Sequence, residues 1–569
     1  MSSGVKNRHI ILLFLSAVVI YGIVALLFTS TVHVDVDEEL YAALAKSFHY
    51  FGRFEANGST MNYNCVLYSV LISAAYFFYS PERILFLMRV IGIISMCSAV
   101  FPIYLLAVKV LRDEKISFAV SAVTMILPYM FDGMYLLQEV LSYPLFLWTV
   151  YFLYCAFEKL GGARSGIWMA AGAAFSALCF FTKTYLFLIP ITVNCCFLLW
   201  LLMREEKKTV LGKALLTYDI TFLMCTVLSY SAIRVINGGI EGSNHYAGQL
   251  STLFPISVWT FISGAVCCIV YASLLFLNMG VLPLASLIFN RDRLGKDNRR
   301  LCDFCLTACI VLILETVFLI VLTEEGVPTI PHKFLFRYFQ VLFPPVLILF
   351  VGQIDEEDYL KNKAMWSFSG VCFAVSLCYF GYMRGGTNQS ISDGYLYLTL
   401  ENSTKYILPY ADTAAVILAG AAIAFLIGLT CKGRTGVVKK AFRLGIVIIV
   451  LFWVLNCVQL PFYTNIVADG RTIQSDSIRI ADYLNQDDCR LYYLDIPGEE
   501  GSSYLRNFYG YVRQTYEVID TKKLGQLEAE AGEGKKVFLI SSRRQLDMEK
   551  AERIDLGTEK LYLYIFSGS

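Results

Sequence analysis

Apolar runs of 18 or more residues recur along the chain from Ile10 to Phe462. A helix of about 20 such residues crosses the hydrocarbon core of a bilayer, and only helices or closed barrels can satisfy their backbone there. Composition agrees. Hydrophobic residues make up 57% of the 569 residues and charged residues 16%, with a mean hydropathy of +0.58. Soluble domains carry about a quarter charged residues. A string of soluble domains, a disordered chain and a disulfide scaffold are therefore excluded. The same composition excludes a nucleic-acid binder as the main reading, and a net charge of +1 names no partner. Most of the 17 cysteines, Cys97, Cys195, Cys196, Cys267, Cys268 and Cys305 among them, lie inside apolar runs and read as small hydrophobes. No paired CxxC or HxxxH spacing suggests structural zinc.

The first run, Ile10–Phe28, follows Lys6, Arg8 and His9 and is too long for a signal peptide. It reads as an uncleaved first span with the N-terminus inside. Further runs lie near 85–110, 117–131, 140–158, 166–182, 185–203, 214–236, 256–289, 301–322, 335–352, 365–383, 411–430 and 443–462, about thirteen spans in all. The shorter stretch Asn64–Tyr79 reads as an interfacial or re-entrant helix in an outer loop over 31–84. Counting it as a span would put the basic loops 112–115, 159–164, 204–213, 290–300 and 432–443 outside, against the positive-inside rule.

Beyond Phe462 the chain becomes charged. Arg490–Ile496, Tyr516–Ile519, Val537–Ser541 and Leu561–Phe566 read as strands, and Ile473–Leu484 and Lys522–Glu530 as helices. The expected organisation is an α-helical polytopic membrane domain over 1–463 and a small extracytoplasmic α/β domain over 464–569.

The chemistry-bearing residues gather in the outer loops. Asp35, Asp37, Glu38 and Glu39 follow the first span, and Ala42, Leu44, Ala45 and Phe48 then show helical spacing. An amphipathic helix at the membrane surface is expected, with Asp37 as its N-cap or as a functional acid. Glu139 lies at the outer end of the fourth span, with Asp132 as the competing acid. Such a group is either an interfacial anchor or part of a site. Lys183 ends the fifth span, either snorkelling or contacting phosphate. His332, Lys333, Arg337 and Tyr338 open the tenth span. Arg337, expected about one turn inside the run, is costly unless it meets an anion, and its fork suits phosphate oxygens. His245 reads as a surface residue. Acids for proton handling and cations for a phosphate leaving group thus share one membrane face. No GxxxxGK[ST] motif suggests nucleotide-driven pumping.

Asp37-Glu38-Glu39-Leu40-Tyr41-Ala42-Ala43-Leu44-Ala45 resembles the Asp-Glu-x-x-Tyr-Ala-x-x-Ala segment of membrane glycosyltransferases of the GT-C superfamily. The likeness is nearest to the aminoarabinose transferases of lipid A and the protein O-mannosyltransferases. Arg89, the inner loop Arg112–Lys115, Tyr135–Glu139, Thr182-Lys183 with Pro190, and Arg337-Tyr338 with Pro344-Pro345 resemble further segments in the same order. The sequence departs from the family where Asn62-Tyr63-Asn64-Cys65 replaces a Lys/His-Pro-Pro segment, and where Glu139 replaces an aspartate.

The resemblance implies inverting sugar transfer from a polyprenyl phosphate, with Asp37 catalytic and Lys183 and Arg337 binding phosphate. The candidate catalytic acids are thus Asp37, Glu38 and Glu139. The candidate donor-binding residues are Lys183, Arg337, His332, Lys333, Tyr338 and Arg89. Glu139 is expected to orient the acceptor or Asp37. No metal or a loosely held divalent cation is expected. The expected partners are the lipid-linked donor, a glycan, lipid or protein acceptor, and the bilayer. A transporter or flippase of a lipid-linked sugar is the alternative; it would use the same cations without breaking the glycosyl bond. A non-catalytic assembly protein is a third reading.

Overall fold

The structure is a computed structural model. It describes residues 3–28, 36–56, 59–60, 63–78, 81–162, 164–204, 206–239, 257–279, 281–324, 328, 331, 335–353, 362–383, 468–484, 489–494, 516–532, 536–546, 548 and 551–566. The expected spans 411–430 and 443–462, His245, His332, Lys333 and the boundary at 463 lie outside these residues.

Eight helical stretches among the described residues are long and apolar enough to cross a membrane. They include α1 (Ser3–Phe28), the pair α4 (Pro81–Cys97) and α5 (Val100–Leu111), α7 (Glu139–Glu158), α8 (Ser165–Thr182), and α9 (Leu188–Leu202) with the turn before it. They continue with α10 (Lys208–Ile236), α11 (Val258–Asn278) and α13 (Lys296–Glu315), which runs on through a π-helical stretch, Thr316–Val321. The protein is a polytopic membrane protein. Many large apolar side chains, such as Leu12, Val19 and Leu26 on α1 and Leu223, Met224 and Leu228 on α10, are exposed. In a soluble protein they would be a liability; in lipid they meet their solvent.

Three expected spans differ from the sequence reading. The run near 117–131 yields only α6 (Glu114–Thr124), then a 3-10 segment, Pro128–Met134. Leu127 is extended, as the residue before a proline tends to be, so the α-helix cannot continue. The run 256–289 divides into α11 and α12 (Val281–Phe289), with Gly280 between them and Pro283 in the first turn of α12. The run 335–352 opens with two 3-10 turns, Phe336–Tyr338 and Gln340–Leu342, and becomes α14 (Phe343–Val351) only at Pro344-Pro345. Arg337 therefore stands on a turn ahead of the helix, not one turn inside it. The helix α15 (Lys363–Met383) follows.

The segment between α1 and α4, expected as an outer loop, folds into α2 (Val36–Phe51), a two-residue hairpin of β1 (Glu55–Ala56) and β2 (Ser59–Thr60), and α3 (Leu67–Ile72) continued by a 3-10 turn to Phe77. Asp37 lies inside the first turn of α2 instead of capping it. A carboxylate there still meets the positive end of the helix dipole.

The C-terminal part holds α16 (Ala468–Leu484), β3 (Arg490–Leu494), β4 (Tyr516–Ile519), α17 (Leu524–Gly532), β5 (Val537–Ser541), β6 (Ala551–Ile554) and β7 (Tyr562–Phe566). The sheet order is β4-β3-β5-β7-β6, with β3 parallel to β4 and β5, and β7 antiparallel to β5 and β6. Tyr516–Ile519 and Val537–Ser541 match the expected strands, β7 begins one residue later than expected, and β3 is described as far as Leu494. The edge strand β6 was not expected; its Ala-Glu-Arg-Ile sequence has no apolar alternation. Asp476 on α16 accepts the backbone N–H of Glu559, Lys560 and Leu561 and so holds the helix to the start of β7.

Candidate active site

Four elements that are distant in sequence converge at the Glu139 end of α7. The first is α7 itself. Pro128–Met134 precedes it, anchored by the Tyr129 hydroxyl 2.5 Å from that of Tyr143. Glu139, the first residue of the helix, is 1% exposed. The second element is the break after α8. Lys183 is extended there (φ −150°, ψ 124°), which ends the helix and turns its side chain toward α7. Its Nζ lies 3.0 Å from Glu139 Oε1. The third is the 3-10 turn Phe336–Tyr338, which brings Arg337 Nε to 3.8 Å from the same oxygen. One buried carboxylate therefore faces two cations.

Tyr338 forms one wall. Its ring centroid is 6.0 Å from Lys183 Nζ and 5.3 Å from the Arg337 guanidinium carbon, and the Tyr185 ring packs against it at 4.6 Å. Gln340 Nε2 donates to Asp132 Oδ2 at 3.2 Å, which ties the turn carrying Arg337 to the segment leading into Glu139.

The fourth element is the segment between α1 and α4. Glu38, 3% exposed, accepts the Leu136 N–H at 2.9 Å and so anchors α2 to the same segment. Asp37 beside it is half-buried and lies within electrostatic range of Lys183, Tyr41 and Tyr63. Burial pulls the Lys183 ammonium toward losing its proton. Glu139, and then Asp37, outweigh that and hold its pKa above the ordinary value. Tyr41 and Tyr63 are pushed up chiefly by burial and stay protonated as neutral phenols. The Cys65 thiol, pushed up to about 11 by burial, stays protonated too.

The sequence reading placed Asp37, Glu139, Lys183, Arg337 and Tyr338 in one site, and the structure brings them together. Glu139 meets Lys183 and Arg337, where an orienting contact to the acceptor or Asp37 had been expected. Glu38 tethers backbone. Arg89 stands half-buried on α4. Sequence reasoning passed over Tyr63, Gln138, Tyr185 and Gln340. Gln138 lay inside the Tyr135–Glu139 segment, and Tyr63 inside the stretch that departs from the family pattern.

With these contacts in place, the arrangement can be set beside solved structures. The crystal structure of ArnT from Cupriavidus metallidurans in the apo state superposes with a TM-score of 0.54 at 13% identity, covering 98% of this chain and 97% of that one. The chain is similar in fold to ArnT. The likeness is equal for ArnT bound to undecaprenyl phosphate, again at a TM-score of 0.54 and 13% identity. The archaeal oligosaccharyltransferase AglB from Archaeoglobus fulgidus, in complex with an inhibitory peptide and a dolichol-phosphate, is less alike, with a TM-score of 0.44 at 10% identity over 93% of this chain and 69% of that one. No protein-family model and no curated protein sequence matches. The likeness to ArnT spans almost the whole of both chains, and it is a likeness of fold.

Proposed function

We propose that the protein transfers a sugar from a polyprenyl-phosphate donor to a hydroxyl acceptor at the extracytoplasmic face, with inversion at the anomeric carbon. The observation that carries this reading is the buried group of Lys183, Arg337 and Glu139 beside Asp37, at one end of a membrane bundle. Two cations on a single carboxylate form an anion site that already holds an internal anion. A lipid-borne phosphate diester has the charge and the place to enter it. The fold likeness to ArnT, which has been solved bound to undecaprenyl phosphate, supports the same donor class.

Orientation is supported by charge. The Glu139 end of α7 is opposite its Glu158 end, about 30 Å away for 20 residues. The far end meets Lys109 and Arg300 and continues into the basic loops. By the positive-inside rule that end is cytoplasmic, which leaves the site outside.

In this reading Asp37 takes the proton of the acceptor hydroxyl as its oxygen attacks the anomeric carbon. The bond from that carbon to the phosphate oxygen breaks, and the departing oxygen keeps the electron pair. Lys183 and Arg337 stabilise the charge that builds there. Tyr338 keeps both cations aimed. The divalent-ion expectation finds little support in this donor set. Among the described residues no three His, Cys, Asp or Glu side chains converge, and Glu139 is already engaged by two cations that would repel a metal ion. No step is routed through one.

The test is release of free polyprenyl phosphate from a panel of polyprenyl-phosphate sugars by purified protein in lipid. Wild type should release it and Asp37→Asn should fall by at least about 1,000-fold, roughly the loss of general-base assistance. Near-normal turnover by Asp37→Asn removes that residue as the base. Transbilayer movement of an intact donor, without release, would make the protein a flippase.

A further inference from the structure

The residue before Glu139 makes contacts that no pattern in the chain announces. Gln138 is fully buried, and both ends of its carboxamide are used. Its Nε2 donates to the Cys65 carbonyl at 2.6 Å, and its Oε1 accepts the Tyr63 hydroxyl at 3.3 Å. Cys65 is fixed again by its thiol, 2.9 Å from Thr184 Oγ1, next to Lys183. The segment Tyr63–Cys65 is thus pinned at both ends to the elements that carry Glu139 and Lys183. This is where the sequence leaves the family pattern, so the pattern's own side chains cannot supply what this segment does here.

Tyr63 is half-buried, which leaves part of it accessible to a substrate. Its hydroxyl has Tyr41 as a hydrogen-bonding neighbour and lies in electrostatic range of both Asp37 and Lys183. A phenol has one proton to donate and two lone pairs. The proton goes to Gln138 and Tyr41 engages one lone pair, so toward a further partner the hydroxyl can only accept, through its second lone pair. An attacking hydroxyl must give its proton to Asp37, and a base acts only within hydrogen-bond reach of that proton. An acceptor molecule with a second O–H or N–H donor can hold this pose by donating to Tyr63 while its nucleophilic hydroxyl faces Asp37.

We propose that Tyr63 binds and orients the acceptor through a donor group adjacent to the attacking hydroxyl, and that Gln138 is a positioning residue acting through Tyr63. The acceptor class that fits carries neighbouring donors, as a sugar diol or a hydroxyl amino acid with its backbone N–H does; a simple alcohol does not. This rests on the transferase reading above and adds the acceptor side to it.

The experiment measures partition. Full-length protein in lipid is given polyprenyl-phosphate hexoses as donors, with methyl hexosides or a Ser/Thr peptide as acceptors, and transfer is compared with slow hydrolysis by water. Water needs no second contact. Tyr63→Phe, which removes only the hydroxyl, should lower the transfer-to-hydrolysis ratio about tenfold, the worth of one neutral hydrogen bond, and leave the donor KM unchanged. Gln138→Leu should shift the ratio similarly, and the double variant should be no worse than either single one, because the two act as a unit. A general loosening of the site would lower transfer and hydrolysis together, and that outcome, or an unchanged ratio in Tyr63→Phe, overturns the proposal. If wild type releases no polyprenyl phosphate from any donor, the transferase reading fails. The role of Tyr63 then fails with it unless Tyr63→Phe still weakens saturable binding of the acceptor probes about fivefold or more.

Discussion

Glu139 is the residue on which the site turns. Its Oε1 faces Lys183 at 3.0 Å and Arg337 at 3.8 Å, and all three side chains are largely buried. Removing one partner of a buried ionic group leaves uncompensated charge and costs about 3–5 kcal/mol. Glu139→Gln should therefore lower the melting temperature of the protein in lipid. It should also leave two cations seeking an anion, so free polyprenyl phosphate should bind about tenfold tighter and restore the lost melting temperature. Thermal unfolding with and without polyprenyl phosphate checks both effects. Equal stabilisation of wild type and variant by the lipid phosphate would show that Lys183 and Arg337 do not form its site. Arg337→Lys is not a conservative change here, because a point charge replaces a planar fork packed on Tyr338. It should raise the donor KM about tenfold, where the same change at an exposed position would do little. The charged members of this site were legible in the sequence for one reason: an acid or base at the end of an apolar run is costly without a purpose. Tyr63 and Gln138 are neutral and carry no such cost, so nothing in the linear sequence singles them out. The pairing of Glu139 with Lys183, 44 positions on, exists only once α7 and α8 have packed.

At the scale of elements, the position of the site depends on a close approach between α4 and the 3-10 segment Pro128–Met134. A Cβ placed on Gly92 would stand 2.9 Å from the carbonyl oxygen of Gly133, a backbone atom that cannot swing aside. Gly133 is next to Asp132, and Asp132 holds Gln340 and with it the turn of Arg337. Gly92→Ala should thus push α4 away from the segment that leads into Glu139. The overpacking is worth about 1–3 kcal/mol. It should appear as a lowered melting temperature together with a raised donor KM. An unchanged KM with a lowered melting temperature would mean that the strain relaxes on the α4 side, away from the site. The long helices were legible because hydrophobic length is a strong signal. Their interruptions were not. The prolines at 128, 283, 344 and 345 look alike in sequence, yet one ends a span early, one starts a short helix and two follow a pair of tight turns. The apolar positions Ala42, Leu44 and Ala45 of α2 are buried as their spacing suggested, but its polar side was not read. Lys46 is fully buried where a surface helix would have exposed it, and burial lowers its ammonium to about 7. The rest of the segment between α1 and α4 covers α2 by tertiary packing that periodicity alone does not reveal.

The molecule as a whole has two polar ends with opposite tasks. At the Glu139 end, polar groups are held near one another with spare charge and a half-buried acid, the condition for binding. At the other end they close on themselves. Arg300, 2% exposed, donates to the Phe157 carbonyl at 2.7 Å and to Glu206 at 2.8 Å. Asp303 accepts the Trp200 indole N–H at 2.9 Å and takes the Arg291 guanidinium with both oxygens. These contacts join the Glu158 end of α7 to α9, α13 and the loop after α12. The basic loops that oriented the chain in the sequence are here a structural clasp, and that could not be read beforehand because Asp303 and Trp200 belong to different spans. The two ends should therefore separate under mutation. Asp303→Ala leaves the buried Trp200 N–H without this acceptor and takes the two-oxygen contact from Arg291, which costs about 1–3 kcal/mol or more, since one partner is charged. The melting temperature should fall, while the donor KM and the affinity for polyprenyl phosphate should stay within about twofold of wild type, because no site element changes its partners. Glu139→Gln makes the opposite case, in which the phosphate affinity itself changes. If Asp303→Ala also weakens phosphate binding, the clasp and the site at the Glu139 end are coupled along α7 and α13. The bundle would then have to be treated as one two-state body, with closure at one face setting the geometry of the other.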